Sequence, residues 1–189
     1  MITIIPYQTD WPNEFLALGN NLRKTLGNRA LRIDHIGSTS IAGLAAKDII
    51  DIQITVAGLE PELEKALVFE GYERLILITT DHLPPRSVSE PIEWSKWMFK
   101  PTGSHRAVNI HVRVFGRANQ RYPLLFRDYL RSHPSIAEAY GLVKSALAVY
   151  IPENVDAYYD IKDPVCDIII GGAEDWAKMS HWEQGPSDC

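Results

Sequence analysis

The chain has 189 residues, 46% of them apolar and 23% charged, with a formal net charge of −5. That balance suits one well-buried globular domain and excludes a disordered or fibrous chain; without a basic tract, a sequence-independent grip on duplex nucleic acid is excluded as well. No run approaches a membrane span, "MITIIPYQTDWP" lacks a leader pattern, and Cys166 and Cys189 have neither metal-ligand nor disulfide spacing, so the expectation is a cytoplasmic protein with no membrane partner.

In chain order, "ITIIPY" reads as a short strand, and "TDWPNEFLALGNNLRKTLG" as a helix with Asp10 as N-cap, Pro12 in the first turn and Gly27 near its stop. "LRIDHIG" and "IIDIQITV" are short and rich in β-branched residues, hence strands. "EPELEKALVFEG" is a periodic helix and "YERLILIT" another strand. "IEWSKWMFK" and "AVNIHVRVF" are expected to pair antiparallel across "PTGSHR". The proline-rich "ILITTDHLPPRSVSEPIEW" is a loop across the mouth of the sheet, with His82 and Arg86 as candidate contacts. After Gly116 the pattern turns helical: "NQRYPLLFRDYLRSHP", "SIAEAYGLVKSALAVY", and a last helix from about Val155 towards Trp176, interrupted at Pro164. Trp182 is a packing anchor and "EQGPSDC" a frayed tail. The fold class is α+β: a mixed sheet flanked by helices with a helical C-terminal part, as one domain over residues 1–180 and a tail over 181–189.

The chemistry concentrates in "HIGSTSIAGLAAKDIIDIQITV". A strand ending in Gly-Ser exposes backbone N–H groups, and Gly37, lacking a Cβ, lets a phosphate approach closely. Ser38, Thr39 and Ser40 add hydroxyls and Lys47 a positive charge. Alternation sends Asp51, Gln53 and Thr55 to one face of the next strand and Ile50, Ile52 and Ile54 to the other. The plainer alternative is a capped turn followed by an aspartate at a strand end.

The same residues resemble the signature of the GrpB family, within the polymerase-β-like nucleotidyltransferase superfamily: Gly37, Ser38, Thr39, Gly43, Leu44, Ala46, Lys47, Ile50, Asp51 and Ile52 fall in register. "PYQTDWPNEF", "NIHVRV" and "FRDYLRSHP" extend the likeness along most of the chain. The resemblance implies a small mixed sheet with the Gly-Ser turn at the edge of a nucleotide pocket. Fusions of family members to dephospho-coenzyme A kinase imply nucleotide or coenzyme A surroundings. The superfamily's three carboxylates hold two Mg²⁺ ions; here only Asp51 stands in place, with Gln53 at the second position and His111 at the third, and neither is a good Mg²⁺ ligand.

Several residues could complete such a site. His35, Asp51 and His111 are the catalytic candidates, and Asp51 with His111 the candidate ligands of a divalent ion, Mg²⁺ or Mn²⁺. His111 reads equally as a packing residue, and Arg113 on its face as a partner of Asp51 or of substrate. Gly37, Ser38, Thr39, Lys47, Lys100, Arg127 and Lys144 are the candidate ligand-binding set, with Arg106 nearby. For Arg127 and Lys144 the resemblance tips the reading towards function. Tyr140, Tyr158 and Lys162 read as packing and surface charge. Three functions follow: transfer of a nucleotidyl or related group from a nucleoside triphosphate to a small acceptor; a non-catalytic pocket for a nucleotide, coenzyme A or other phosphorylated small molecule; or acid/base or amide-forming chemistry on a small metabolite.

Overall fold

The computed structural model describes residues 1–103 and 106–189. Five strands form one mixed sheet: β1 (Arg32–Ile36), β2 (Ile50–Val56), β3 (Tyr72–Arg74), β4 (Trp97–Pro101) and β5 (Val108–Val114), in the spatial order β1-β2-β5-β4-β3. β2 and β5 are parallel and every other pair is antiparallel. The helices are α1 (Trp11–Leu26), α2 (Pro61–Phe69), the single turn α3 (Pro91–Trp94), α4 (Ala118–Ser132), α5 (Pro134–Tyr150) and α6 (Val155–Ser180). The α+β class with a helical C-terminal part is as expected.

Strand alternation sorts the chemistry. Ile33, Ile50, Ile52, Ile54, Phe99, Ile110 and Val112 point to one face and pack under Trp11, Phe15, Leu22 and Leu26 of α1 and Leu63 and Leu67 of α2. Each such side chain, taken fully out of water, contributes about 1.5–3 kcal/mol. The other face carries Asp51, Asn109, His111 and Met98, in register across β2, β5 and β4. Leu125 and Tyr129 of α4, Tyr140 of α5 and Ile169, Ile170 and Ala173 of α6 build a second core beyond that face.

Five local expectations fail for identifiable reasons. "ITIIPY" makes only an isolated bridge, Ile5 to Ala46. "YERLILIT" stays a strand only over Tyr72–Arg74, because Ile76 and Leu77 beyond it are exposed. The start of "IEWSKWMFK" is the helical turn α3, so only Trp97–Pro101 joins the sheet. α6 runs through Pro164 to Ser180; Pro164 and Asp160, whose carbonyl loses its N–H partner there, are both exposed, so the freed group is open to solvent rather than buried unpaired. The end of the chain, read as frayed, lies along β1. Cys189 N–H donates to Ile33 O at 3.1 Å, and the Ile33 and His35 N–H groups donate to Ser187 Oγ and Asp188 Oδ2 at 2.9 Å each. The outer edge of β1 is thus occupied by the tail.

Candidate functional site

At the end of β1 the backbone turns sharply at Gly37 (φ 70°) into one 3-10 turn, Ser38–Ser40. The first hydrogen bond of that turn is donated by Ser40 N–H to Gly37 O, so the Ser38 and Thr39 N–H groups precede it. A Cβ on residue 37 would fall 2.9 Å from Asp51 Cβ and 3.0 Å from its carboxyl carbon. Glycine is therefore required twice over, by its dihedral and by the carboxylate beside it. The bend and Asp51 share one hollow.

Asp51 Oδ1 accepts from Asn109 Nδ2 at 2.8 Å and lies 3.7 Å from His111 Nε2. On the far side of the imidazole, Lys96 Nζ and Arg113 Nη2 both stand 3.4 Å from Nδ1. Both can only donate, which assigns the lone pair to Nδ1 and the proton to Nε2, facing Asp51. Burial holds the imidazole neutral against the pull of Asp51, with Arg113 and Lys96 adding to the downward shift. Lys96 and Arg113 are anchored by Asp81, which takes Lys96 at 2.6 Å and both Nε and Nη2 of Arg113 at 2.8 Å. Burial would raise Asp81, but Arg113, then Lys96 and His111, outweigh it and hold the carboxyl well below its usual range. Gln53, where the resemblance leads one to expect a second acid, is fully buried between Gln120 O (2.9 Å) and Arg113 Nη1 (2.8 Å). It ties the sheet to α4 and takes no part in the hollow.

The hollow opens into a cavity of about 610 Å³. Lys47, Lys96, Lys100, Lys144 and Lys162 line it, with Asp51 the single carboxylate among the described lining residues; Lys96 and Lys162 are paired with Asp81 and Asp163, each at 2.6 Å. Lys144 Nζ donates to Ser38 Oγ (2.7 Å) and Ala45 O (2.6 Å), and burial pushes its pKa down to about 7. Lys47 Nζ sits over the rings of Tyr158 (4.4 Å) and Tyr159 (4.9 Å), a cation–π pairing that aims it at the cavity rim. Tyr122, Phe126, Tyr140, Tyr158 and Tyr159 supply an aromatic wall.

Of the expected set, Gly37, Ser38, Thr39, Lys47, Lys100, Lys144, Asp51 and His111 line this cavity. His35 and Arg127 do not. His35 points to the opposite face of the sheet, stacked on Phe15 at 4.6 Å with Nε2 3.0 Å from Thr39 Oγ1; burial lowers its pKa to about 4. It is a neutral packing residue, not a cavity acid or base. Arg127 is 5% exposed and engaged by Asp128 Oδ1 (2.8 Å), Asp188 Oδ2 (2.9 Å) and His35 O (3.1 Å), so it fastens the tail to β1 and has no free fork for a phosphate. Arg106 is likewise spent on Glu14 and Asp48. His82, expected in the loop, pairs with Asp167 on α6 at 3.0 Å.

Tyr140, Tyr158 and Lys162, read from sequence as packing and surface charge, are on the wall. Tyr158, Lys162 and Cys166 recur every four residues on α6, and a lysine on that otherwise buried stripe was the legible signal. Asp81 and Lys96 gave none, since neither belongs to a motif.

The donor set does not fit a pair of Mg²⁺ ions. Among the described residues no three His, Cys, Asp or Glu side chains gather as a metal site. His111 presents a proton towards Asp51, and its other nitrogen faces two cations, so the expected Asp51–His111 ligand pair lacks the free lone pair and the carboxylate company such an ion demands.

Comparison with known proteins agrees with this architecture. A family profile described as GrpB protein matches residues 1–171. A dephospho-CoA kinase of Mycolicibacterium paratuberculosis is 35% identical, covering 96% of this chain and 48% of that protein, so the chain spans about half the length of such relatives. A UPF0157 protein of Halalkalibacterium halodurans is 34% identical over 89% of this chain and 80% of its own. The crystal structure of the conserved protein GrpB from Enterococcus faecalis superposes with a TM-score of 0.71 at 29% identity, covering 96% of this chain and 100% of that one. The GLD-2/RNP-8 complex matches at a TM-score of 0.50 and 10% identity over 84% of this chain and 58% of that one, a likeness of fold alone. No helix among the described residues is long and apolar enough to cross a membrane. The fold is nucleotidyltransferase-like, and the chain belongs to the GrpB family.

Proposed function

We propose that the cavity binds a nucleoside triphosphate, or a phosphorylated relative of the coenzyme A class, and passes an activated group from it to a small acceptor. The observation that carries this reading is five lysines lining one cavity on a chain whose net charge is −5, with Asp51 the carboxylate among the described lining residues and only Lys96 and Lys162 paired elsewhere, with Asp81 and Asp163. Packing ammonium groups together out of water costs stability, visible in the downward shifts of Lys96 and Lys144, and an incoming polyphosphate removes that cost. The aromatic wall offers a nucleobase its stacking surface, and the Gly37–Ser38 bend offers N–H and hydroxyl donors to phosphate oxygens. Kinship with proteins named dephospho-CoA kinase places coenzyme A precursors among the ligands to try.

In the transfer, pyrophosphate leaves the donor phosphorus among the lysines, and the acceptor hydroxyl or amine gives its proton to Asp51 as its oxygen or nitrogen bonds to that phosphorus, directly or after a carrier on the protein. Lysines here do the charge neutralisation that two metal ions do elsewhere. Calorimetric titration with ATP, CTP and coenzyme A, in chelator and again with Mg²⁺ or Mn²⁺, tests the reading alongside pyrophosphate release. The expected outcome is binding that persists in chelator, with turnover lost in Asp51→Asn. Binding with no turnover under any condition leaves a non-catalytic pocket; no binding of any of the three overturns the reading.

A further inference from the structure

Lys144 and Ser38 meet in a way that phosphate binding does not require. Lys144 is 3% exposed, and among the described residues its amine hydrogen-bonds to a hydroxyl and a carbonyl and to no carboxylate. Its two neighbours are Ser38 Oγ at 2.7 Å and the Ala45 carbonyl at 2.6 Å. A carbonyl can only accept, so Ala45 O holds one N–H and fixes the amine; a neutral amine then turns its lone pair to the Ser38 hydroxyl. This is a nucleophile, a base within hydrogen-bond reach, and a third group that orients the base. Ser38 is half-buried and opens on the cavity beside Asp51.

We propose that Ser38 is a nucleophile with Lys144 as its general base, and that the nucleotidyl group is carried on Ser38 before it reaches the acceptor; the second clause rests on the nucleotide reading above. The Ser38 hydroxyl proton passes to Lys144 Nζ as Oγ bonds to the α-phosphorus and the bond from that phosphorus to pyrophosphate breaks. The acceptor then attacks the same phosphorus and loses its proton to Asp51, while the bond to Oγ breaks and Lys144 returns the first proton to Ser38. Neither oxidant nor further reactant enters.

The charge surroundings of Lys144 fit a base at neutral pH. Tyr140 on its own helix lies against it, its ring centroid 4.6 Å from Nζ. Lys162 and Cys166 face it from α6, Asp51 from β2 and Lys47 from the crossing segment. Burial is the largest cause of its shift to about 7; Cys166 and Asp51 oppose it, and Lys162 and Lys47 reinforce it.

An activated fluorophosphonate probe, followed by peptide mass mapping, tests the pair without knowing the natural substrate. Label is expected on Ser38, at a rate that climbs as pH rises through about 7 and then levels. Ser38→Ala abolishes it. Lys144→Met slows it by about a hundredfold, the worth of a lost general base, and removes the inflection. Lys144→Arg keeps a cation in place, guards against a merely unfolded variant through its melting curve, and is expected to be as slow. No label on Ser38 in the folded protein, or an unchanged rate and pH profile in Lys144→Arg, overturns the pair. Acid quenching after incubation with ATP reads the second clause: one nucleoside monophosphate on the Ser38 peptide supports it. Binding of ATP without adduct or label removes the pair and leaves the nucleotide reading; label that ATP neither slows nor replaces, with no titratable binding, removes the nucleotide and leaves the pair.

Discussion

At Gly37 the backbone and the carboxylate of Asp51 compete for the same space. Gly37→Ala adds a methyl within 3.0 Å of the Asp51 carboxyl carbon on a residue whose φ is 70°. The expected result is a loss of about 1–3 kcal/mol of stability, measured by denaturant unfolding, and a larger proportional loss of ligand affinity because Asp51 must swing away. That the two sit together was legible, since a Gly-Ser bend between two strands forces their neighbouring ends to meet. His35 was not legible: it is adjacent to the bend, but register with Ile52 puts it on the apolar face, and register is a long-range fact. Its pH behaviour follows. The unfolded histidine titrates near 6.5 and the folded one near 4, so between those values the unfolded chain takes up a proton that the folded chain refuses. The contribution is fully present above pH 6.5 and falls by up to about 3 kcal/mol as pH drops to 4. His35→Gln keeps a donor for Thr39 and cannot be protonated, so its stability is expected to vary less over that window.

The strands and helices show where local pattern suffices and where it fails. α1, α2, α4 and α5 follow from apolar periodicity and prolines in their first turns or interior, and β2 and β5 from alternation. The failures are segments whose state is decided by a partner: "ITIIPY" finds only the single bridge from Ile5 to Ala46, and after Leu75 N–H reaches Met98 O of β4 the chain leaves the sheet in a turn closed by Ile78 N–H on Leu75 O, whereas the polar tail finds a strand in β1. Asp188 is the test of that last contact. It accepts from the buried Arg127 guanidinium and from the His35 N–H, both at 2.9 Å. Asp188→Ala leaves Arg127 with Asp128 but strips the amide of its acceptor, so a loss of about 1–3 kcal/mol is expected. Hydrogen exchange at the His35 amide should accelerate in step; an unchanged rate would mean that the tail does not hold β1.

Across the molecule, the net charge of −5 and the lysine-lined cavity are of opposite sign. Anionic ligands are drawn by the local field and repelled by the distant one, and salt screens both. Nucleotide affinity is therefore expected to fall several-fold from low to physiological ionic strength, with a shallower dependence in Lys100→Gln, which removes one exposed charge from the rim. A dependence unchanged by that substitution would take Lys100 out of the binding surface. The sequence disclosed the sheet-facing half of this site, where strand parity orders Asp51, Asn109 and His111, better than the helical half. Tyr158 and Lys162 reach the wall only because α6 folds back over the sheet, a packing outcome that no short pattern encodes.

The cavity is walled on one side by β2, β4 and β5 and on the other by α4, α5 and α6. A solute seated there works as a rivet between two slabs that otherwise meet through separate cores, and heat must extract it before they part. At a hundred times its dissociation constant such a molecule adds about 2.7 kcal/mol of resistance. A melting survey of a metabolite collection can thus find the natural occupant blind, before any reaction has been guessed.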